Sequence, residues 1–255
     1  MTRFLFATDL DNTLVGDDRA LEELYLRLDR SASAHGTKVV YITGRSPTLY
    51  RQLATERRLL QPDALVTAVG TEIYYESVDN APDAAWAETL LQGWDRQQVV
   101  ATAATFPDLV PQPNTEQRPF KASYFLTAEA AMKVLPRLNT QLQERGLSTQ
   151  TLYSGNKNLD VLPKRGDKGS AMRFLRHKWG FDPTHTVACG DSGNDIAMFS
   201  MGRERGIIVG NAEAELLQWY ERNPADHLYL AKAHYAAGIV EGLRHFGFLD
   251  KGECC

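Results

Sequence analysis

Two aspartates one residue apart, Asp9 and Asp11, follow the apolar run Phe4-Leu5-Phe6-Ala7 and precede Asn12-Thr13. An apolar run that stops at a polar break reads as a buried strand. At its carboxyl end both carboxylates can face the crevice where open α/β sheets bind ligands. Two hard oxygen donors so close suit a cation such as Mg²⁺. One of them can also act as a nucleophile and pass through an aspartyl-phosphate. The stretch alone leaves a plain strand end and an Asp-Asn turn open. Three further groups share its placement at a strand's carboxyl end or a helix start: Thr43-Gly44-Arg45, Lys168, and Gly190-Asp191-Ser192-Gly193-Asn194-Asp195. Together they supply a candidate nucleophile, a hydroxyl, a cation and a second acidic pair, which is the equipment for phosphoryl transfer. A phosphate among carboxylates needs such a cation, because repulsion at short range is roughly 1 to 4 kcal/mol per pair. Singly each group is compatible with a turn, a helix cap or a solvated lysine.

The elements that must position these groups alternate. Asp18 to Ala34 places Leu21, Leu24, Tyr25 and Leu28 on one helical face, with Asp17 or Asp18 as cap and Gly36 as terminator. Lys38 to Ile42 reads as a strand, and Ser46-Pro47 opens a helix carrying Leu49, Leu53 and Leu60. Ala64 to Val69 is a third apolar run. Strands alternating with helices imply a parallel sheet with right-handed crossovers. From Asn80 the pattern changes. One helix is expected over Asp83 to Thr105, with Trp86, Leu90 and Trp94 spaced by four. A loop with Pro107, Pro111, Pro113 and Pro119 follows, then a strand from Lys121 to Leu126. A helix from Ala128 to Arg145 turns Met132, Leu135 and Leu142 inward, and Thr149 to Tyr153 is another strand. An insertion of roughly 75 residues fits the small end of domain sizes. The parallel-sheet pattern is expected to resume at Leu159-Asp160-Val161-Leu162-Pro163, and to continue through strands at Thr186 to Cys189 and Gly206 to Val209. Helices over Ala212 to Arg222 and Tyr235 to Phe246 would cover the sheet. The expected architecture is α/β: a Rossmann-like parallel-sheet core (1–79 and 159–255) with an inserted α+β cap domain (80–158).

The chain has 255 residues, 43% hydrophobic and 24% charged, with a formal net charge of -4. That balance gives no support for a nucleic-acid or membrane-surface partner, either of which favours a basic chain. Cys189 lies in an apolar run and Cys254 and Cys255 are the last residues, so no disulfide framework is visible and a reducing compartment is expected. No apolar stretch approaches the ~18 residues needed to cross a bilayer. The N-terminus has no signal-peptide pattern. A soluble, cytoplasmic protein is expected, with a loose tail from Asp250 to Cys255.

In this order the four motifs resemble those of the haloacid dehalogenase superfamily of phosphotransferases, and the insertion between the second and third resembles its large α/β cap. The likeness continues through Gly70-Thr71-Glu72-Ile73-Tyr74, Lys121-Ala122-Ser123-Tyr124, Leu159 to Pro163 and the helix-rich end. Over nearly the whole chain it is similar to the cyanobacterial-type family of sucrose-phosphate phosphatases. The resemblance implies that Asp9 attacks phosphorus and that Asp11 serves as acid and then base. It implies Mg²⁺ on the Asp9 carboxylate, the Asp11 carbonyl and Asp191, with Asp195 and Ser192 completing the metal surroundings. Thr43, Gly44, Lys168 and Asn194 would hold the phosphate. Arg45, Glu72, Lys121, Lys157 and Asp160 would contact the sugar, although Asn156-Lys157-Asn158 also reads as an exposed turn. Tyr74, Tyr124 and Tyr153 are expected to pack rather than to carry a sugar. The implied reaction is hydrolysis of sucrose 6-phosphate to sucrose and phosphate, the last step of sucrose biosynthesis. The alternatives are a phosphatase of another sugar or glycosyl-polyol phosphate, such as glucosylglycerol phosphate, and then a phosphomutase. A non-enzymatic scaffold is disfavoured, since every catalytic position is filled. The expected ligand is a sugar phosphate, the candidate protein partner is sucrose-phosphate synthase, and the chain is otherwise expected to be a monomer, with no nucleic acid or membrane.

Overall fold

The computed structural model describes residues 2–200 and 202–250. Of the tail expected from Asp250 to Cys255, residues 251–255, with Cys254 and Cys255, lie outside the described residues.

In chain order the first half of the core runs β1 (Leu5–Thr8), α1 (Asp18–His35), β2 (Lys38–Ile42), α2 (Pro47–Arg57), β3 (Ala64–Thr67), β4 (Glu72–Tyr74) and α3 (Ala84–Leu91). Then come α4 (Arg96–Ala103), β5 (Val110–Pro111), β6 (Ala122–Phe125), α5 (Ala128–Glu144), β7 (Thr149–Ser154) and β8 (Asn158–Pro163). The chain finishes with α6 (Lys168–Lys178), β9 (Thr186–Gly190), α7 (Ile196–Ser200), β10 (Arg205–Ile208), α8 (Ala214–Arg222), β11 (Leu228–Leu230) and α9 (Tyr235–His245).

The core sheet has the order β11-β10-β9-β1-β2-β3-β4. Its pairings are parallel except that β4 runs antiparallel to β3. The strands are buried on both faces, so they read as unbroken apolar runs rather than alternating ones. Phe4 and Phe6 point into one hydrophobic cluster with Leu24, Leu28, Ile239 and Leu243, whereas Leu5 and Ala7 point into the opposite one with Met172 and Leu175. Helix caps follow the expected chemistry: Asp17 accepts from the Ala20 N–H at 3.1 Å and Ser46 from the Leu49 N–H at 3.4 Å. No described helix is long and apolar enough to cross a membrane.

A second sheet, of order β5-β6-β8-β7, is antiparallel. Its hydrophobic cluster holds Val99, Tyr124, Val134, Leu138, Leu142, Leu159 and Val161. Here four expectations are corrected. Leu159 to Pro163 does not resume the parallel sheet: it is β8, paired with β6 (Ala122 opposite Val161) and β7 (Thr149 opposite Pro163). A strand buried on both faces carries the same apolar run in either kind of sheet, and only its partners separate the two. The single helix over Asp83 to Thr105 is two helices, because Gly93 sits at φ +73 and Asp95 caps α4 by accepting from the Gln98 N–H at 3.0 Å. Trp86 and Leu90 pack into the core and Val99 and Ala103 into the cap. The crossings between the two units therefore fall near Gln92-Gly93 and Lys164 to Asp167, not at 79/80 and 158/159. Met132, expected inward on α5, is 79% exposed, and Ala131, Val134, Leu138 and Leu142 form the buried stripe.

Candidate active site

The Asp9 N–H donates to the Cys189 carbonyl at 2.9 Å, which extends the β1–β9 ladder by one step. That step brings Asp9 beside the Gly190 to Asp195 loop. Lys168 is fully buried at the start of α6, and its Nζ donates to Asp9 Oδ1 and to Asp195 Oδ1, each at 2.7 Å. Asp195 Oδ2 accepts from the backbone N–H groups of Asp191 (3.0 Å) and Ser192 (3.1 Å), so this carboxylate caps its own loop. Asp191 Oδ1 accepts from the Thr13 hydroxyl at 2.9 Å, which ties the first acidic loop to the second.

Burial is the largest influence on Asp9. With the charges of Asp195 and Asp191 added, it outweighs the lowering pull of Lys168 and pushes the carboxyl up to about 8. Burial and then Asp195 push Asp191 up to about 7. Burial pulls the Lys168 ammonium down, but Asp195 and Asp9 more than offset this and hold it above its ordinary value. One carboxylate oxygen each from Asp9, Asp191 and Asp195 lies within 4.8 Å of the others. Three buried carboxylates this close bring more negative charge, once ionised, than one lysine neutralises, and a divalent cation fits them.

Asp9 and Asp191 open onto a cavity of about 330 Å³ between core and cap, with the fully buried Lys168 and Asp195 behind them. Asp9, Asp11, Asn12, Gly44, Arg45, Asp191, Ser192, Asn194 and Glu213 line it from the core, and Gln112, Glu116, Lys121, Leu152, Ser154, Asn158 and Asp160 from the cap. In the cap, the buried Lys121 Nζ donates to Ser123 Oγ (2.7 Å) and Asp160 Oδ1 (3.2 Å). Glu116 Oε1 accepts from the core's Ser46 hydroxyl at 2.8 Å, so cap and core touch at the cavity's edge.

The expected site residues are thus largely brought together, with three differences. Arg45 grips Asp11 with two parallel bonds, Nε to Oδ2 at 2.8 Å and Nη2 to Oδ1 at 2.7 Å. Glu72 does not line the cavity: it is buried, accepting from Thr67 (3.2 Å), Tyr74 (3.0 Å) and the cap's Arg118 (2.8 Å). Lys157 is exposed, with its ammonium 5.2 Å from the centre of the Phe125 ring, and does not line the cavity either. Thr43 is fully buried at the end of β2, and its hydroxyl accepts from the Arg45 N–H at 3.1 Å. Asn194 Oδ1 is buried with no hydrogen-bond partner among the described residues. Tyr74 and Tyr124 are buried, and the Tyr153 hydroxyl donates to the Leu126 carbonyl at 3.0 Å. Sequence reasoning missed Gln112 and Glu116. Their one available signal was a long proline-rich loop, where functional groups concentrate.

A profile described as "Sucrose-6F-phosphate phosphohydrolase" matches residues 2–247. The chain is 40% identical to "Probable sucrose-phosphatase 2" of Arabidopsis thaliana over 96% of its own length and 60% of that protein. It spans about three fifths of the length of the curated plant relatives it matches. It is 31% identical to the mannosylfructose-phosphate phosphatase of Agrobacterium fabrum (strain C58), covering 95% of this chain and 96% of that one. The sucrose-phosphatase of Synechocystis sp. PCC6803, solved in complex with sucrose and phosphate, superposes with a TM-score of 0.88 at 39% identity, covering 96% of this chain and 98% of that one.

Proposed function

Because the chain belongs to the sucrose-6F-phosphate phosphohydrolase family, we propose that it hydrolyses sucrose 6-phosphate to sucrose and phosphate, closing sucrose biosynthesis. The observation that carries this reading is the meeting of Asp9 and Asp191, at the floor of a polar cavity roofed by the cap, with the buried Lys168 and Asp195 directly behind them. In the first step Asp9 Oδ2, the oxygen that Lys168 leaves available, bonds to phosphorus. The bond from phosphorus to the sugar oxygen breaks, and that oxygen takes its electron pair and the proton of Asp11. In the second step Asp11 takes a proton from water, whose oxygen bonds to phosphorus as the Asp9 ester breaks. Both Asp11 oxygens are occupied by Arg45, so the proton-donating form must give up one guanidinium N–H. Arg45 turned toward the incoming phosphate or sugar provides that release.

Lys168, the Thr43 hydroxyl, the Gly44 N–H and the Asn194 amide hold the phosphate oxygens in this reading. Mg²⁺ is assigned to the Asp9 and Asp191 carboxylates and the Asp11 carbonyl, with Asp195 and Ser192 shaping the loop behind, and when bound it offsets charge on the transferring phosphoryl group. Lys121 and Asp160, joined by Gln112, Glu116 and Asn158, are the sugar contacts. Glu72 instead ties Arg118 to the core, and neither it nor Lys157 is retained as a sugar contact. A cytoplasmic monomer acting after sucrose-phosphate synthase completes the reading.

The mannosylfructose relative, matched over nearly its whole length, favours a second reading in which another disaccharide phosphate is the substrate. Phosphate release from sucrose 6-phosphate, mannosylfructose phosphate, glucosylglycerol phosphate and glucose 6-phosphate separates them. Sucrose 6-phosphate is expected to lead glucose 6-phosphate by about 10²-fold or more in kcat/KM, since a site that pairs with missing hydroxyls leaves its own polar groups unpaired. Equal values across the panel would overturn the assignment.

The raised carboxyls also set a pH dependence. Asp9 holds its proton up to about 8 in the folded chain, against an ordinary 3.8, and Asp191 up to about 7. Across that window the folded protein binds protons that the unfolded chain has released, so cation-free stability falls as pH rises. A bound cation replaces those protons, and its affinity should gain up to about tenfold per pH unit for each proton displaced. Calorimetry is therefore expected to show a larger Mg²⁺-induced rise in Tm at pH 8.5 than at pH 6. A rise of equal size at both pH values would refute the assignment of these carboxylates to the cation.

A further inference from the structure

We propose that Asn211 is a positioning residue that sets the aim of Asp11. The turn from Gly210 to Glu213, which follows β10, reaches both acidic loops at once. Asn211 Nδ2 donates to the Asn12 carbonyl at 2.7 Å, and the Glu213 N–H donates to the Asp191 carbonyl at 2.7 Å. Asn211 Oδ1 accepts from the Tyr235 N–H at 2.9 Å, at the start of α9. Its amide is therefore used from both ends, and only one orientation of the amide satisfies both partners.

The Asn12 peptide needs such a tie. Asn12 is at φ +56, a left-handed conformation that turns the chain between Asp11 and Thr13. The same loop is braced by the Tyr235 ring, which lies so close to Gly16 that a Cβ there would come within 2.3 Å of it. Thr13 ties the loop to Asp191 from the inside. Asn211 is the corresponding tie on the outside, fixed to α9 rather than to the site. The Asn12 carbonyl is one residue beyond the Asp11 carbonyl, so holding it fixed limits the backbone rotations at Asn12 through which the Asp11 peptide, and with it the Asp11 Cα and side chain, can shift. Misplacement of a reacting group by about 1 Å is enough for a 10²-fold loss of rate. Nothing in the motif spacing marks Asn211, because its partners are far away in the chain.

This role rests on the reading of Asp11 as the group that moves the proton. Two variants test it. Asn211→Asp keeps an acceptor for the Tyr235 N–H and loses the donor to Asn12, setting a carboxylate against a carbonyl oxygen. It is expected to keep its melting temperature within a few degrees and its KM within about threefold while kcat falls about 10- to 100-fold, the range for partners that orient a working group. Asn211→Ala loses both bonds and is expected to lose a similar factor in kcat together with some melting temperature. Wild-type kcat in folded Asn211→Asp would overturn the role. So would a loss in either variant that merely tracks the fraction unfolded. Rates are taken on sucrose 6-phosphate and on p-nitrophenyl phosphate. A wild type inert to the sugar phosphate alone would count against the substrate, and the comparison of variants on the aryl phosphate would still decide the role of Asn211.

Discussion

The Asp9→Asn variant is expected to lose phosphate release by about 10⁴-fold or more, the scale of loss when a nucleophile is removed from a site that acts as a unit. The amide oxygen is a poor nucleophile and cannot leave a stable ester on phosphorus. The fold should survive, because the substitution is close to isosteric and Lys168 keeps Asp195 as a partner at 2.7 Å. Cation-free stability should even improve at pH 8.5. There the wild-type side chain, whose carboxyl is pushed up to about 8, is charged at the expense of the fold, and the amide carries no such penalty. Phosphate release and melting curves at pH 6 and 8.5 check both halves. A variant that still turns over would remove Asp9 as nucleophile, and one that fails to fold would mean that its carboxylate is structural. Trapping of a phosphoryl adduct on the wild-type peptide that contains Asp9 separates a nucleophile from a residue that only binds the cation.

Much of this site was legible in the sequence because its chemistry is tied to local signals. Asp9, Thr43 and Asp191 each follow an apolar run, with Asp11 two residues beyond Asp9 and Asp195 four beyond Asp191, and a parallel sheet collects the ends of such runs at one edge. Lys168 was legible from Asp167 ahead of it, a helix start that leaves the next side chain near the same edge. What was not legible depends on partners distant in the chain. Nothing local says that β8 pairs with β6 and β7 rather than with a parallel neighbour, so the apolar run alone does not mark where the chain leaves the cap. Glu72 stands at the head of a strand where a binding residue would stand, yet Thr67, Tyr74 and Arg118 take up its carboxylate. Arg45, expected as a sugar contact, is set on Asp11 only by the structure. The helix over 83–105 failed for a different reason. Gly93 and Asp95 are break signals visible in the sequence, but the spacing of Trp86, Leu90 and Trp94 runs on across Gly93 and masks them. The structure shows those aromatics serving two units, with Trp86 in the core cluster and Trp94 against the cap cluster. A periodicity that continues across a glycine and a capping aspartate is thus weaker evidence for one helix than its length suggests.

The Lys168→Met variant is expected to be damaged in both stability and rate, and the pH dependence of the damage identifies the cause. The ammonium is fully buried and touches both Asp9 and Asp195 at 2.7 Å. Removing one partner of a buried ion pair costs about 3 to 5 kcal/mol, because it strands charge in a medium that solvates it poorly. For a chain of this size that is a fall in Tm on the order of 6 to 20 °C. The methionine fills similar volume, so lost packing adds little. Without the ammonium the carboxyls of Asp9 and Asp191, already at about 8 and 7, must rise further. At pH 5.5 they then hold their protons and the stranded charge is small, whereas at pH 8.5 the folded state must hold them charged or keep protons that the solvent takes from the unfolded chain. The deficit relative to wild type should therefore widen from pH 5.5 to 8.5. Mg²⁺ should narrow it by supplying positive charge to the same oxygens. Turnover should stay depressed by about 10²- to 10⁴-fold even in saturating Mg²⁺, because losing one preorganised charge aimed at the reacting group already costs about 10²- to 10³-fold, and this one contacts Asp9, the proposed nucleophile. Equal melting temperatures for variant and wild type at pH 8.5 in chelator would show that the lysine's bonds to Asp9 and Asp195 do not hold the site together.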